Sequence, residues 1–552
     1  MGLPTNMVNA VYRDPGVEQY RDNPLIEALP PIMARQQVKQ GLTGSIKFNP
    51  ADSYSDGSHR AHIICQLLVG FFQPLANHIA LETKVSILLR QGYVGRNLDD
   101  GSLNTHLQNG YERVMTGDLE VFRFNHAKST ARSLSLIGCS GTGKSSTLER
   151  ILATYPQVIF HEKYNFTQIV YLKVDCPLDG SLKQLCNHFF EAVDKVLHTD
   201  YSRKYALKRH TVETLMALMT QIANVHAIGV LVIDEIQHLS LSKSGGIEKM
   251  LNFFVTLVNV IGLPVVMVGT PKARAIFEMD LRSARRSAGF GALFWEPLQS
   301  PDSGADSEEL RQSEWIAFTN KLWPFQWLAK RDEVLTEEMR NCWYNLSQGV
   351  LDIVVKLFVL AQLRAIITRT ERVTPGLMQK VYDDELKPVH PMLDALRSGD
   401  PERILKYSDL TIPDFDEKLL KLRDKIDTLE PDRPLPRYQG NAHAMRLHNL
   451  LVGMDCRSET IEPLVEKVFN EHPNRSIIDL MPIVLEWYQS EDPVPKKAKT
   501  KSIVVKPSTW HTLDSDDLRF KSSQCDKNQS VYQKLKDSGL VFDTVSWLKN
   551  AS

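Results

Sequence analysis

The sequence predicts an α/β fold: a parallel sheet wrapped by helices, closed by a helical lid and flanked by further modules. Three observations predict it. Between residues 121 and 298, short β-type runs at 133–137, 168–174, 230–233, 265–268 and 293–295 alternate with amphipathic helical stretches, the pattern of strand–helix–strand units that build a parallel sheet. The first run leads straight into Gly138-Cys139-Ser140-Gly141-Thr142-Gly143-Lys144-Ser145, which reads G-x-x-x-x-G-K-S. From 309 to 382 the periodicity is helical throughout, after a Ser/Asp/Gly/Pro-rich loop at 299–308, as expected of a small lid joined by a connecting loop.

In chain order, residues 1–105 begin with proline-rich, extended sequence and then show helical periodicity from Ile63 to Leu89, carried by Ile64, Leu67, Leu68, Phe71 and Phe72. This predicts an N-terminal module of its own, about 1–110. His59, His62 and Cys65 have i, i+3, i+6 spacing, but no fourth ligand lies nearby, so they read as ordinary helix residues sooner than as a metal site.

The phosphate-binding loop follows at 138–145. Its glycines let backbone N–H groups curl around a β-phosphate, Lys144 neutralises β and γ oxygens, and Ser145 offers a hydroxyl to Mg²⁺. The helix expected over 145–154 aims its positive N-terminus at the same anion. Gly138, Ser140, Gly141, Thr142, Gly143, Lys144, Ser145 and Ser146 are therefore the candidate nucleotide ligands. Ninety residues beyond Lys144, Val230-Leu231-Val232-Ile233 ends in Asp234-Glu235. An apolar strand closing on two carboxylates suits a buried Walker B strand: Asp234 for Mg²⁺, with Ser145, and Glu235 to polarise water. The next run ends at Gly269-Thr270, where a hydroxyl can orient that water. The stretch after it carries Arg282, Arg285 and Arg286; one arginine can reach the nucleotide of a neighbouring subunit, although a solvated basic helix end gives the same pattern.

A basic cluster with aromatic neighbours lies at 199–211, with Tyr201, Arg203, Lys204, Tyr205, Lys208 and Arg209, and Lys183 begins the preceding helix. It fits either sequence-independent phosphate contacts to DNA or a solvated helix connection. Further helices are expected at 414–429, 443–454 and 461–469, with a proline-rich break at 431–436. Lysines 496, 497, 499, 501 and 506 with few large apolar groups make 491–506 a flexible basic tether, and 531–548 is an apolar segment too small to fold alone.

Composition bounds the whole. The chain has 552 residues, 43% hydrophobic, enough for several buried cores. Net charge is −1, so nucleic-acid contact requires a local patch. Seven scattered cysteines fit a reducing cytoplasm. Residues 350–361 are interrupted by Asp352 and Lys356 and are too short to span a bilayer. No hydrolase triad or nuclease carboxylate cluster stands out.

The set Gly-Cys-Ser-Gly-Thr-Gly-Lys-Ser-Ser, Val-Ile-Asp-Glu-Ile-Gln-His-Leu, Val-Gly-Thr-Pro-Lys-Ala and Arg-Ser-Ala-Arg-Arg-Ser, over about 112–374, resembles AAA+ ATPases. More narrowly it resembles the TnsC/TniB family, regulators of Tn-seven-class transposition. The resemblance implies an ATPase that binds DNA when ATP-loaded, forms a homo-oligomeric ring or filament on it, and joins target-selection proteins such as TnsD or TnsE to the TnsA and TnsB transposase subunits. It implies domains at 111–300 (nucleotide-binding), 301–382 (lid), 383–490 (helical C-terminal region) and 491–552 (tether and transposase-docking tail), with the N-terminal module facing the target selectors, in the bacterial cytoplasm and away from membranes. An AAA+ loader or initiator, or a protein-remodelling motor, shares the same core; neither a pore loop nor a C-terminal helix-turn-helix is visible. One departure stands out: where many lids of this family carry an arginine, Gly349-Val350-Leu351-Asp352-Ile353 offers an acid, which suits slow, switch-like hydrolysis.

Overall fold

The computed structural model describes residues 7–119, 121–124, 130–178, 180–205, 210–239, 253–254, 256–260, 262–273, 291–301, 307–412, 415–429, 442–454, 456, 458–472, 475–490, 510–511, 520 and 523. The chain falls into two compact units, Met1–Val484 and Leu485–Ser552. The tether and the apolar segment at 531–548 lie outside the described residues.

Eight strands are described: β1 (Met7–Asn9), β2 (Ser133–Ile137), β3 (Val158–His161), β4 (Phe166–Ile169), β5 (Tyr171–Asp175), β6 (Val230–Asp234), β7 (Val265–Gly269) and β8 (Ala292–Phe294). Five of them form one parallel sheet in the order β5-β6-β7-β2-β8. Side-chain alternation along each strand divides the core in two. Leu134, Leu136, Val230, Val232, Val266 and Val268 pack to one face, and Leu231, Ile233, Val265 and Met267 to the other, against Phe189, Phe190 and Leu215.

The strand order sets up the site. β7 lies between β2 and β6, so the loop leaving β2 and the acidic end of β6 are two strand spacings apart, ~10 Å. That gap is wide enough for a phosphate and a cation, and the tip of β7 faces it. From β2 the chain goes to β5 at one edge and ends at β8 on the other side; ligands bind in the crevice that such a reversal opens at the carboxyl ends of parallel strands.

The expected strand over 168–174 is two strands separated by Val170. β4 pairs antiparallel with β3 in a small sheet ordered β1-β3-β4, and β5 pairs parallel with β6. A continuous apolar run records strand character but not a change of partner.

The first hundred residues do not close on a core of their own. β1 adds to β3, and the helix Ala76–Val94 buries Leu81, Val85, Leu88, Leu89 and Tyr93 against the sheet. Ala61, Ile64 and Leu67 instead join the lid core with Trp315, Trp327, Trp343 and Phe358. Arg60 makes a two-pronged ion pair with Glu371, at 2.6 and 3.1 Å. The packing therefore has no break at the expected 110 boundary. The single helical periodicity over 63–89 is also interrupted: helices Gly57–Cys65 and Leu67–Gly70 end before Pro74, and a new helix begins at Ala76; Pro74 lies in the connecting stretch and keeps Gln73 before it out of the α region.

The lid is built on the helix Leu351–Ile367, apolar on nearly all sides and enclosed by Glu314–Leu322, Glu337–Ser347 and Pro375–Glu385. Residues 323–336 between the first two are irregular. The helix Phe415–Leu429 adds Leu419, Leu422 and Ile426 to the same core. Among the described residues, no helix is long and apolar enough to cross a membrane.

Candidate active site

β2 delivers the chain into the loop at Gly138, whose N–H donates to Gly269 O at 3.2 Å. Gly141 and Gly143 take φ of +76° and +93°, backbone that only glycine adopts without cost. The loop therefore curls tightly and opens the helix Lys144–Leu152, one residue earlier than expected. The first N–H groups of that helix have no partner within it, which makes its end an anion seat. Lys144 is buried, and its Nζ donates to Gly138 O and Cys139 O at 2.8 Å each. Burial pulls its pKa down to about 8, against the opposing effect of Cys139, Glu235 and Asp234. Trp295, just after β8, donates its indole N–H to Thr142 O at 2.8 Å and braces the loop from behind.

Across the gap, Asp234 is buried at the end of β6, and its Oδ1 accepts the N–H of Glu235 at 2.9 Å. Its Oδ2 is 3.2 Å from Lys173 Nζ. Glu235 turns out of the strand in left-handed backbone, φ +55°, with its side chain toward solvent. The Gln237 side chain joins two of the predicted residues: its amide donates to Glu235 Oε2, and its Oε1 accepts the Thr270 N–H at 3.1 Å. Thr270 Oγ1 is buried with no hydrogen-bond partner, a polar atom directed to the tip of β7 and available to a ligand.

These groups share one cavity of about 640 Å³, lined by Lys144, Ser145, Asp234, Glu235, Gly269 and Thr270 among others. The lid closes one side with Phe318, Leu351 and Val355, and Asp352 N–H donates to Gly141 O at 2.9 Å. So the acid noted in the sequence does sit over the phosphate loop, held there by its backbone; its carboxylate pairs with Lys356 at 2.7 Å. The apolar wall comes from the interrupted N-terminal helices: Leu68, Val69, Phe71 and Phe72. Phe72 lies under the Arg150 guanidinium at 4.5 Å and against His78, which stacks on Trp295. Sequence reading missed this wall, Gln237 and Lys173; the Pro74 break was the one local signal for the wall.

Two family models match the chain. An AAA domain matches residues 126–277, and the Tn7 transposition regulator TnsC matches residues 505–551. The chain is a TnsC-like AAA+ ATPase. No curated protein sequence matches it. Among solved structures it is similar to a Walker-type ATPase of Pyrococcus abyssi at 14% identity, covering 53% of this chain and 84% of that one, TM-score 0.29. It is similar to Cdc6p of Pyrobaculum aerophilum at 10% identity, covering 70% and 93%, TM-score 0.31. A third is the Drosophila ORC bound to DNA, 11% identity, covering 72% and 93%, TM-score 0.30.

As an AAA+ ATPase the chain binds and hydrolyses ATP. The other predicted positions of this TnsC-like chain are less gathered. Arg282, Arg285, Arg286, Lys208 and Arg209 lie outside the described residues. Arg203 and Lys204 are exposed on the short helix Tyr201–Tyr205, with Lys204 paired to Asp200 at 2.7 Å. The aromatic neighbours serve packing: Tyr201 bonds His226 at 3.0 Å and Tyr205 meets Phe190. Lys183 stands at the opposite end of the helix Leu182–Leu197 from that group, ~20 Å away at helical rise. His62 contacts Arg423 at 2.7 Å, and no group of ligating side chains among the described residues is arranged to hold a metal ion by itself.

Proposed function

We propose that this Tn7-type transposition regulator ATPase is an ATP-switched platform that assembles on target DNA and connects target-selection proteins, of the TnsD or TnsE kind, to the TnsA and TnsB transposase subunits. The observation that carries the reading is the conjunction, in one chain, of a phosphate loop and acidic strand end lining one cavity with a C-terminal segment matching the TnsC regulator.

In this reading Lys144 and the loop N–H groups bind the phosphates, and Ser145 and Asp234 hold Mg²⁺; the buried Asp234 carboxylate and the unpartnered Thr270 hydroxyl suit a phosphate-bound cation and its water. The ion supplies positive charge to the phosphate oxygens. Glu235, steadied by Gln237, accepts the proton of the attacking water, and Thr270 orients that water. An arginine among Arg282, Arg285 and Arg286 of a neighbouring subunit completes the charge. Lys183, Arg203, Lys204, Lys208 and Arg209 contact DNA phosphates, the N-terminal segment meets the target selector, and 491–552 reaches the transposase as a tethered segment that folds on its partner.

Electron microscopy on duplex DNA with ADP, ATP and a non-hydrolysable analogue, alongside Glu235→Gln, tests the reading. Rings or filaments that require triphosphate and DNA, and that persist in the variant, are expected. A DNA-independent ring with fast turnover overturns it in favour of a remodelling motor.

A further inference from the structure

The acidic end of the sheet carries more negative charge than the ATPase motifs account for. Asp175 and Asp234 are register partners on the parallel strands β5 and β6, and like charges directly opposite destabilise a sheet. Glu149, on the helix that leaves the phosphate loop, faces the same place. One lysine serves all three: Lys173 Nζ lies at 2.5 Å from Glu149, 3.2 Å from Asp234 and 3.8 Å from Asp175. Strand alternation puts Tyr171 and Lys173 of β5 on the face that also holds Val230 and Val232 of β6, so Lys173 reaches diagonally to Asp234.

We propose that Lys173 is a built-in counter-ion that bridges Glu149 and the metal-binding carboxylate of β6 in the nucleotide-free chain, and that it gives up Asp234 while keeping Glu149 when a divalent cation enters with ATP. The inference rests on the nucleotide-switch reading and specifies how that site is held empty. Asp234 is buried, and a buried carboxylate without a counter-charge is strongly disfavoured, so the empty site needs a cation of its own. A divalent ion brings two charges to the same oxygen and repels the ammonium. Glu149 belongs to the helix leaving the phosphate loop and already accepts from Lys173, so release of the lysine from Asp234 links metal arrival at the sheet to that helix. Although burial opposes it, contact with Glu149 and Asp234 holds the Lys173 ammonium above its ordinary pKa in the metal-free arrangement.

The test uses the full chain and a fluorescent N-methylanthraniloyl-ATP, with affinity measured in excess Mg²⁺ and in EDTA for wild type, Lys173→Met and Glu149→Gln. The readout is the ratio of the two affinities. Lys173→Met removes the competitor and is expected to raise that ratio on the order of tenfold, while the nucleotide-free variant melts at lower temperature and recovers with Mg²⁺-nucleotide. Glu149→Gln removes the acceptor, leaves Lys173 on Asp234, and is expected to lower the ratio severalfold. A ratio unchanged or lowered in Lys173→Met, or unchanged in Glu149→Gln if the lysine variant does not fold, overturns the proposal. A wild-type chain whose nucleotide affinity does not respond to Mg²⁺ overturns the nucleotide-switch reading itself, a result separable from either variant's.

Discussion

Lys144 faces opposite demands in the empty and the filled loop. Without nucleotide, burial disfavours its charge and its pKa is about 8; phosphate oxygens require the ammonium. Nucleotide affinity is therefore expected to be level below pH 8 and to fall above it, approaching ~tenfold per pH unit, because binding then takes up a proton. Calorimetry from pH 7 to 9.5 in buffers of different ionisation enthalpy checks this, and Lys144→Gln removes the dependence. The stability of the nucleotide-free chain runs the other way. The folded pKa lies below the ordinary 10.5, so between the two the unfolded chain holds more protons and this residue's contribution rises with pH. Glu235 sits at the mouth of the cavity and leaves the loop contacts untouched. Glu235→Gln is expected to keep nucleotide affinity within a few-fold and to slow hydrolysis by ~10²–10⁴ in single-turnover assays.

At the scale of elements, one contact of the lid with the segment that follows β8 is especially close. Gly349 has φ +68°, and a Cβ there would stand 1.9 Å from Leu298 O, while Leu298 N–H donates to Gly349 O at 3.0 Å. Gly349→Ala meets both backbone strain and a clash with a carbonyl that cannot swing away. It is expected to cost more than ~2 kcal/mol in denaturant unfolding and to weaken nucleotide binding, since the following Leu351 and Asp352 cover the loop. The helix limits themselves were largely legible: 415–429 and 442–453 begin and end within about a residue of expectation. The break at Pro74 was readable in principle, but its result, an apolar wall for the nucleotide cavity, was not. That depends on the lid and the sheet approaching the same turn from two sides.

At the scale of the molecule, phosphate contacts make a distinct claim. If Arg203 and Lys204 touch DNA, the double alanine variant lowers the slope of log affinity against log salt by ~2 without changing sequence preference; an unchanged slope in filter binding removes them from the interface. What the sequence alone determined was the chemistry carried by neighbours along the chain: the glycine-rich loop with Lys144 and Ser145, and the apolar strand closing on Asp234 and Glu235. Both are contiguous because a strand, a turn and a helix start are local structures. Only the tertiary structure decided that β7 separates β2 from β6, that the first hundred residues divide between the sheet and lid cores, and that Lys173 balances Asp234. Those outcomes depend on which strand pairs with which and on where buried charge must be neutralised, contacts between residues far apart in the chain that no local pattern records.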